Sequence, residues 1–330
     1  MYDKLVIITR RTRLEDLVAR FNTRGQAKFY LEHAGVDFAD YEREHDAYHA
    51  ALDRLRQDLE LGLPRQFLDR DLVPTYLFGP GDLVIALGQD GLVANTAKYA
   101  GDQPIIGVNP EPARFDGVLL PYTIDGAKQA VVGCLESRES FRAVTLAEAV
   151  LDDGQRLLAF NDLFIGARSH VSARYRLGFD GRDESQSSSG VLVSTGAGST
   201  GWMSSVFNMA AGITNFSGGV GGDAFHLEWE DRELFFAVRE PFISRRSSAD
   251  LVAGVLSEER ELMIESQMPS NGVIFSDGIE ADFLAFNSGA IAHVRPAEQS
   301  AMLVTPSGDL GARFAVRGAR DLKAEGAAAK

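Results

Sequence analysis

The 330-residue chain has a single cysteine, Cys134. An internal disulfide framework is therefore excluded, and the chain suits a reducing, cytoplasmic setting. No stretch approaches the ~18 uninterrupted apolar residues of a membrane-spanning helix. The opening residues run from Met1 straight into an apolar segment, with neither a basic leader and cleavage site nor an Arg-rich transit segment. Positive charge is in deficit: 33 Lys and Arg against 47 Asp and Glu leave a net charge of −14. The long-range field would repel nucleic acid and anionic membranes, so neither is an expected partner, although a small anionic ligand responds to its local site. Tandem repeats and a Walker Gly-x-x-x-x-Gly-Lys-[Ser/Thr] loop are also missing. What remains is an ordinary globular composition, 45% hydrophobic and 24% charged, on a chain too long for one core.

The first part of the chain alternates strand-like and helical segments. Residues 4–9 read as a buried strand, and residues 11–61 as charged helix with Leu14, Leu17, Phe21, Phe29, Leu31, Tyr48, Leu52 and Leu55 as inward positions. Residues 73–78, 82–87 and 104–109 are further strand candidates. That alternation implies a mainly parallel sheet up to about residue 130. After about residue 140 the texture becomes β-rich: segments 157–164, 173–179, 191–194, 234–238 and 273–275 are separated by Asp180-Gly181, a glycine run at 218–222 and Asp277-Gly278. Asp-Gly between strands marks a hairpin, so this part reads as mostly antiparallel. The glycine run reads as a linker.

Three constellations could carry chemistry. An apolar strand, 82–87, empties into Gly88, Gln89, Asp90 and Gly91 and then a helical segment, 92–99. That is where α/β sheets bind phosphate-bearing ligands, and Asp90 supplies a carboxylate able to act on one. A second strand, 191–193, leads into Ser194, Thr195, Gly196, Ala197, Gly198, Ser199, Thr200, Gly201 and Trp202, then a helix that Ser199 or Thr200 would cap. Third, Asn161 and Asp162 interrupt an apolar run, where an unpaired buried carboxylate would be expensive. Either one of them faces solvent or the pair is functional. His45 and His49 are spaced i, i+4, but no third ligand is near them in sequence, so they read as a solvated helix face and no metal ligands are assigned.

Taken together and in this order, the motifs resemble the NAD kinases, whose signature is Gly-Gly-Asp-Gly-Thr, then Asn-Glu, then Ser-Thr-x-x-Gly-Ser-Thr-Ala-Tyr. The matching residues here are 88–92, Asn161 with Asp162, and 194–202. Residues 4–13, 106–117, 236–241 and 276–278 extend the likeness over about residues 3–305, toward the subgroup typified by the mitochondrial enzyme of animals. The resemblance implies an N-terminal Rossmann-like α/β domain with a parallel sheet over 1–135. It also implies a β-rich, mostly antiparallel domain for NAD binding and dimerisation over 136–305, and a C-terminal segment, 306–330, returning to the first domain and fraying at its end.

The implied reaction is transfer of a phosphoryl group from ATP or polyphosphate, with Mg2+, to the 2′-hydroxyl of NAD's adenosine ribose, with Asp90 as the general base. By the same resemblance Gly88 and Gly91 cradle the triphosphate, Asn161 and Asp162 contact NAD, and Ser199, Thr200, Gly201 and Trp202 line its nucleotide pocket. The implied assembly is a homodimer or higher homo-oligomer. Three residues depart from the pattern. Gln89 replaces a glycine and would be strained if φ there were positive. Leu92 replaces a threonine and brings no hydroxyl, and Asp162 is one methylene shorter than glutamate. Two alternatives follow: an NAD(P)-binding protein with a degenerate donor site, and a kinase for another nucleoside, sugar or lipid hydroxyl.

Overall fold

The computed structural model describes residues 2–222 and 225–306. The segment from Ser307 onward, most of the expected C-terminal segment, lies outside the described residues. Two compact units divide the chain, Met1–Arg142 with Met302–Lys330, and Ala143–Ala301.

In the first unit, β1 (Lys4–Thr9), β3 (Asp82–Leu87) and β4 (Pro104–Asn109) form the centre of a parallel sheet, joined by β2 (Arg65–Asp69) and β5 (Tyr122–Thr123). Every residue of β3 and β4 is buried, as a parallel strand covered on both faces must be. The charged helical region resolves into α1 (Arg13–Phe21), α2 (Arg24–His33) and α3 (Phe38–Asp58), each started by a side-chain cap from Thr12, Thr23 or Asp37. α4 (Asp90–Ala97) and α5 (Ile124–Leu135) complete the unit. Leu5, Ile7, Leu52, Leu55, Ile85 and Val108 share one core.

Two expectations fail in this unit. Residues 73–78 are not a strand: Arg70–Thr75 is a 3-10 turn that contains Pro74 and is capped by Asp69, and the strand lies earlier, at β2. Proline has no N–H for a sheet ladder and suits the turn. Phe29, expected to point inward, is 63% exposed on α2.

The second unit pairs its strands antiparallel. β8 (Asp162–Ala167), β11 (Val191–Ser194), β12 (Leu234–Val238) and β13 (Ala253–Leu256) lie side by side, with β15 (Gly272–Ser276) and β16 (Ile279–Ala285) on β8's other edge. β6 (Ser140–Leu151) pairs β7 (Arg156–Ala159), and β9 (Ala173–Phe179) pairs β10 (Arg182–Ser188) and β14 (Leu262–Ser266). β14 in turn pairs the long β17 (Ile291–Thr305).

Both Asp-Gly hairpin signals hold, with Asp180, Gly181, Asp277 and Gly278 all at positive φ, as a type I′ turn requires. α6 (Trp202–Phe216) follows a 3-10 turn at Ala197–Thr200. Its N-cap is Gly201 and carries no side-chain cap bond, so neither Ser199 nor Thr200 caps it. Instead Ser204 Oγ donates back to the carbonyls of Thr200 and Gly201. Gly218, first of the glycine run, ends the helix at φ 84°. Among the described residues no helix is long and apolar enough to cross a membrane.

Candidate functional site

In the first unit, β3 ends at Leu87 and α4 begins at Asp90, so Gly88 and Gln89 form the whole connection. Gln89 is the N-cap at φ −116° and ψ 165°, ordinary extended backbone, and the strain its side chain could have caused is absent. No side chain caps α4, which leaves its positive end to backbone N–H groups. Asp90 Oδ1 accepts the backbone N–H of Leu119 at 2.7 Å, which fixes the carboxylate and leaves its second oxygen for chemistry.

Gly107 on β4 makes that bond possible. A Cβ there would overlap Leu119's carbonyl oxygen, so only glycine lets the 117–120 segment lie this close. Gly117 at φ 64° and the Asn109 side chain, which donates to the Phe115 carbonyl and accepts from the Glu111 N–H, shape the same loop. Around Gly91 a Cβ would meet nothing within 4 Å, so space is open beside the first turn of α4. Leu92 is 2% exposed and packs back against Gly88.

Arg10, just after β1, is a neighbour of this turn that no motif in the sequence singled out. Its Cδ lies 3.6 Å from a Cβ position on Gly88, and its guanidinium stacks on Tyr48. It donates to Glu44 at 3.1 Å, while its Nε finds no partner. Burial pushes the Glu44 carboxyl up, but hydrogen bonds from Arg13 and Arg10 outweigh it and hold the group below its ordinary value.

In the second unit the expected 157–164 strand is broken in two at Phe160 and Asn161. Asp277 explains the break: its carboxylate accepts the N–H groups of Phe160 (3.0 Å), Asn161 (2.6 Å) and Asp162 (3.2 Å), and its own N–H donates to the Asp162 carbonyl. Asp162 then starts β8 only 8% exposed, its carboxylate accepting no hydrogen bond from a described residue. Burial, and next the Asp277 charge, push its pKa up to about 7. The sequence reading that one of the pair faces solvent does not hold for Asp162.

The 194–201 turn is bonded to this same segment. Thr195 Oγ1 donates to the Phe160 carbonyl and accepts from Gly198 N, and Thr195 N donates to the Asn161 carbonyl. Gly198 touches Asn161 so closely that a Cβ would overlap its carbonyl oxygen. Asn161, Asp162 and the turn are thus brought together. Ser199 Oγ donates to the Gly196 carbonyl and lies 3.3 Å from His226 Nδ1. Thr200 and Gly201 are exposed.

Trp202 lines a cavity of about 190 Å³ with Phe164, Phe275, Arg168, Arg239 and Glu280. The Phe164 and Trp202 rings stack at 5.7 Å and 12°, and the Arg239 guanidinium lies 5.0 Å from Trp202 and 5.8 Å from Phe164. The lining thus presents aromatic faces together with two guanidinium groups and one carboxylate. Asp277, Arg239 and Phe164 were not singled out as site residues. The Asp-Gly turn signalled a hairpin and part of the family likeness but no role for Asp277, because the backbone groups it holds are more than a hundred residues away.

No protein-family model matches the chain. Over 127 residues, 36% of this chain, it is 35% identical to an NAD kinase of Halorubrum lacusprofundi. The chain spans less than half of that relative, 45% of its length. Among solved structures it is similar to yeast NADH kinase complexed with NADH, at a TM-score of 0.57 and 17% identity over 98% of this chain and 88% of that one. It is also similar to an NAD kinase from Archaeoglobus fulgidus in complex with ATP, at a TM-score of 0.52 and 17% identity over 94% and 98%. These likenesses show a shared fold, an α/β domain with an antiparallel β-rich one.

Proposed function

We propose that the protein is an NAD kinase, converting ATP and NAD to ADP and NADP by phosphorylating the adenosine ribose 2′-hydroxyl. The observation that carries this reading is Asp90. It is a carboxylate held by a backbone N–H at the start of an uncapped helix, at the end of a parallel strand, with one oxygen left to accept a proton. The 35% identical NAD kinase and the two kinase folds support the same reading.

Phosphoryl transfer asks the protein mainly for positioning and charge stabilisation. Asp90 is assigned the hydroxyl proton. The amides of residues 88–91 are assigned the donor phosphates, which Gly91 allows to come close. Asp162, buried without a hydrogen-bond donor, is assigned the acceptor's hydroxyl groups, with Asn161, Ser199, Thr200 and Gly201 around them and Trp202 offering an aromatic face to the nucleotide.

Mg2+ fits as a companion of the triphosphate, where it would neutralise developing charge. Among the described residues the one group of three or more potential ligands is Glu15, His45 and His49, a nitrogen-rich set that does not suit a hard ion, whereas the oxygens of the phosphates themselves do. The reading extends to the mitochondrial-type subgroup, to a cytoplasmic location and to a homodimer. The first is supported by the likeness of residues 4–13, 106–117, 236–241 and 276–278, the second by the single buried cysteine, and the third by the exposed Ile213 and Phe216 on α6.

The test is NADP formation from NAD with ATP and with polyphosphate, read by an NADP-specific dehydrogenase. Asp90→Asn should lose ~10²–10⁴-fold in kcat with an unchanged circular dichroism spectrum. Equal activity in that variant would remove the assigned role. Leu92 keeps one second reading in play, an NAD(P)-binding protein without a working donor site, because no hydroxyl stands where the family's threonine would. The relaxed backbone at Gln89 removes the other ground for it. Calorimetry separates the two: in the second reading NAD or NADP binds while ATP and polyphosphate do not.

A further inference from the structure

Away from the Asp90 turn, the first unit brings two histidines and a glutamate to one point. His45 and His49 are one turn apart on α3 and so share a face, with ring centroids 4.4 Å apart. Glu15, in the first turn of α1, reaches the same face: its Oε1 lies 3.0 Å from His49 Nε2. One ligand atom from each of the three residues lies within 4.8 Å of the others. Sequence spacing shows no third ligand for the histidine pair, because Glu15 is thirty residues upstream and only the packing of α1 on α3 supplies it.

One buried residue touches both Glu15 and His45. Thr12, the N-cap of α1, donates its backbone N–H to Glu15 Oε2 at 2.7 Å, and its Oγ1 meets His45 Nδ1 at 2.9 Å. A proton on His45 Nδ1, donated to that oxygen, leaves the Nε2 lone pair for a ligand. An outer residue that fixes the tautomer and the carboxylate orientation is how ligand sets are commonly aligned. The side chains of His49 and Glu15 remain 40% and 36% exposed, so water can complete a coordination sphere. Around an ion at ~2.0–2.2 Å, tetrahedral donors sit roughly 3.4 Å apart. The set reaches that by movements of about an ångström in half-exposed side chains, with the ion replacing the proton shared by His49 and Glu15.

We propose that Glu15, His45 and His49 bind one divalent transition-metal ion of the Zn2+ class, joining the first turn of α1 to the middle of α3. Two imidazoles and a carboxylate form a borderline donor set, which selects such an ion over Mg2+ or Ca2+. The site is independent of the phosphotransfer reading, since its readout needs neither nucleotide.

The full chain, stripped with a chelator, is titrated with Zn2+ by calorimetry and followed by thermal unfolding. One equivalent should bind and raise the unfolding temperature, with Mg2+ at the same concentration without effect. His45→Gln and His49→Gln should each weaken Zn2+ binding at least tenfold while the metal-free unfolding temperature stays near that of the parent. Co2+ bound to the unaltered protein gives a second readout that depends on no variant: absorption bands of a four-coordinate nitrogen–oxygen site, lost on adding one equivalent of Zn2+. No saturable Zn2+ binding, a six-coordinate Co2+ spectrum, or one-equivalent binding unchanged in the double variant would each overturn the assignment.

Discussion

Asp162 couples the proposed chemistry to stability. Its carboxyl is raised from 3.8 to about 7, by burial first and by the Asp277 charge second. Below about pH 4 the group is protonated in both folded and unfolded chains and contributes nothing. Between pH 4 and 7 the unfolded chain releases its proton first, so folding is progressively opposed, and above pH 7 the penalty is complete, at roughly 4 kcal/mol. Asp162→Asn should therefore raise the free energy of unfolding by about 2–4 kcal/mol at pH 8 and by almost nothing at pH 4. Urea titrations at the two pH values check this, and an equal gain at both would refute the burial account. If the carboxylate also receives the acceptor's hydroxyl groups, the more stable variant should bind NAD about tenfold more weakly, the loss of one charge-assisted hydrogen bond. Leu92 offers a second single-residue test. Leu92→Thr removes buried methyl groups from the face packed on Gly88 and should cost about 2–3 kcal/mol of stability. A lower KM for ATP despite that cost would show that the donor site lacks only a hydroxyl.

Near Asp90, Gly107 on β4 shapes the fold while Gly91 in α4 leaves room. Gly107→Ala drives a Cβ into the Leu119 carbonyl, so the 117–120 segment must move and Asp90 loses its N–H. The expected result is a drop in unfolding temperature together with a fall in kcat. Gly91→Ala meets nothing within 4 Å and sits at negative φ inside a helix, where alanine is favoured by up to ~1 kcal/mol. It should leave stability equal or higher and raise only the KM for the phosphoryl donor, and unchanged donor kinetics would place the phosphates elsewhere. Both glycines look alike in the sequence, and this difference marks what was readable there. β1, β3 and β4 were legible as apolar runs because parallel strands are covered on both faces. Asn161 and Asp162 were legible as polar residues in the wrong company. Illegible were the contacts made at long range: Leu119 on Asp90, Asp277 on the 160–162 backbone, and Glu15 on the α3 histidines. Local propensity also misled where one residue overrode it, as at Pro74 in a stretch otherwise rich in strand formers.

The chain crosses between its two units inside strands rather than in linkers. The division falls at Arg142 within β6 and at Met302 within β17. Consequently the first unit is completed by residues from the far end of the chain. Met302 and Leu303 pair parallel with Pro104 and Ile105 on β4, Val304 is buried among Val108, Tyr122 and Ile124, and Thr305 Oγ1 donates to the Ser140 carbonyl. A fragment of residues 1–142 would expose the edge of β4 and the gap left by Val304. An unpaired edge on a fully buried apolar strand invites association. The 1–142 fragment should therefore aggregate or unfold without cooperativity, whereas the same fragment carrying 302–306 on a short Gly/Ser linker should stay monomeric in sedimentation and melt in one transition. If the bare fragment folds as stably as the linked one, the returning strand contributes only an edge, and the α/β core closes without it.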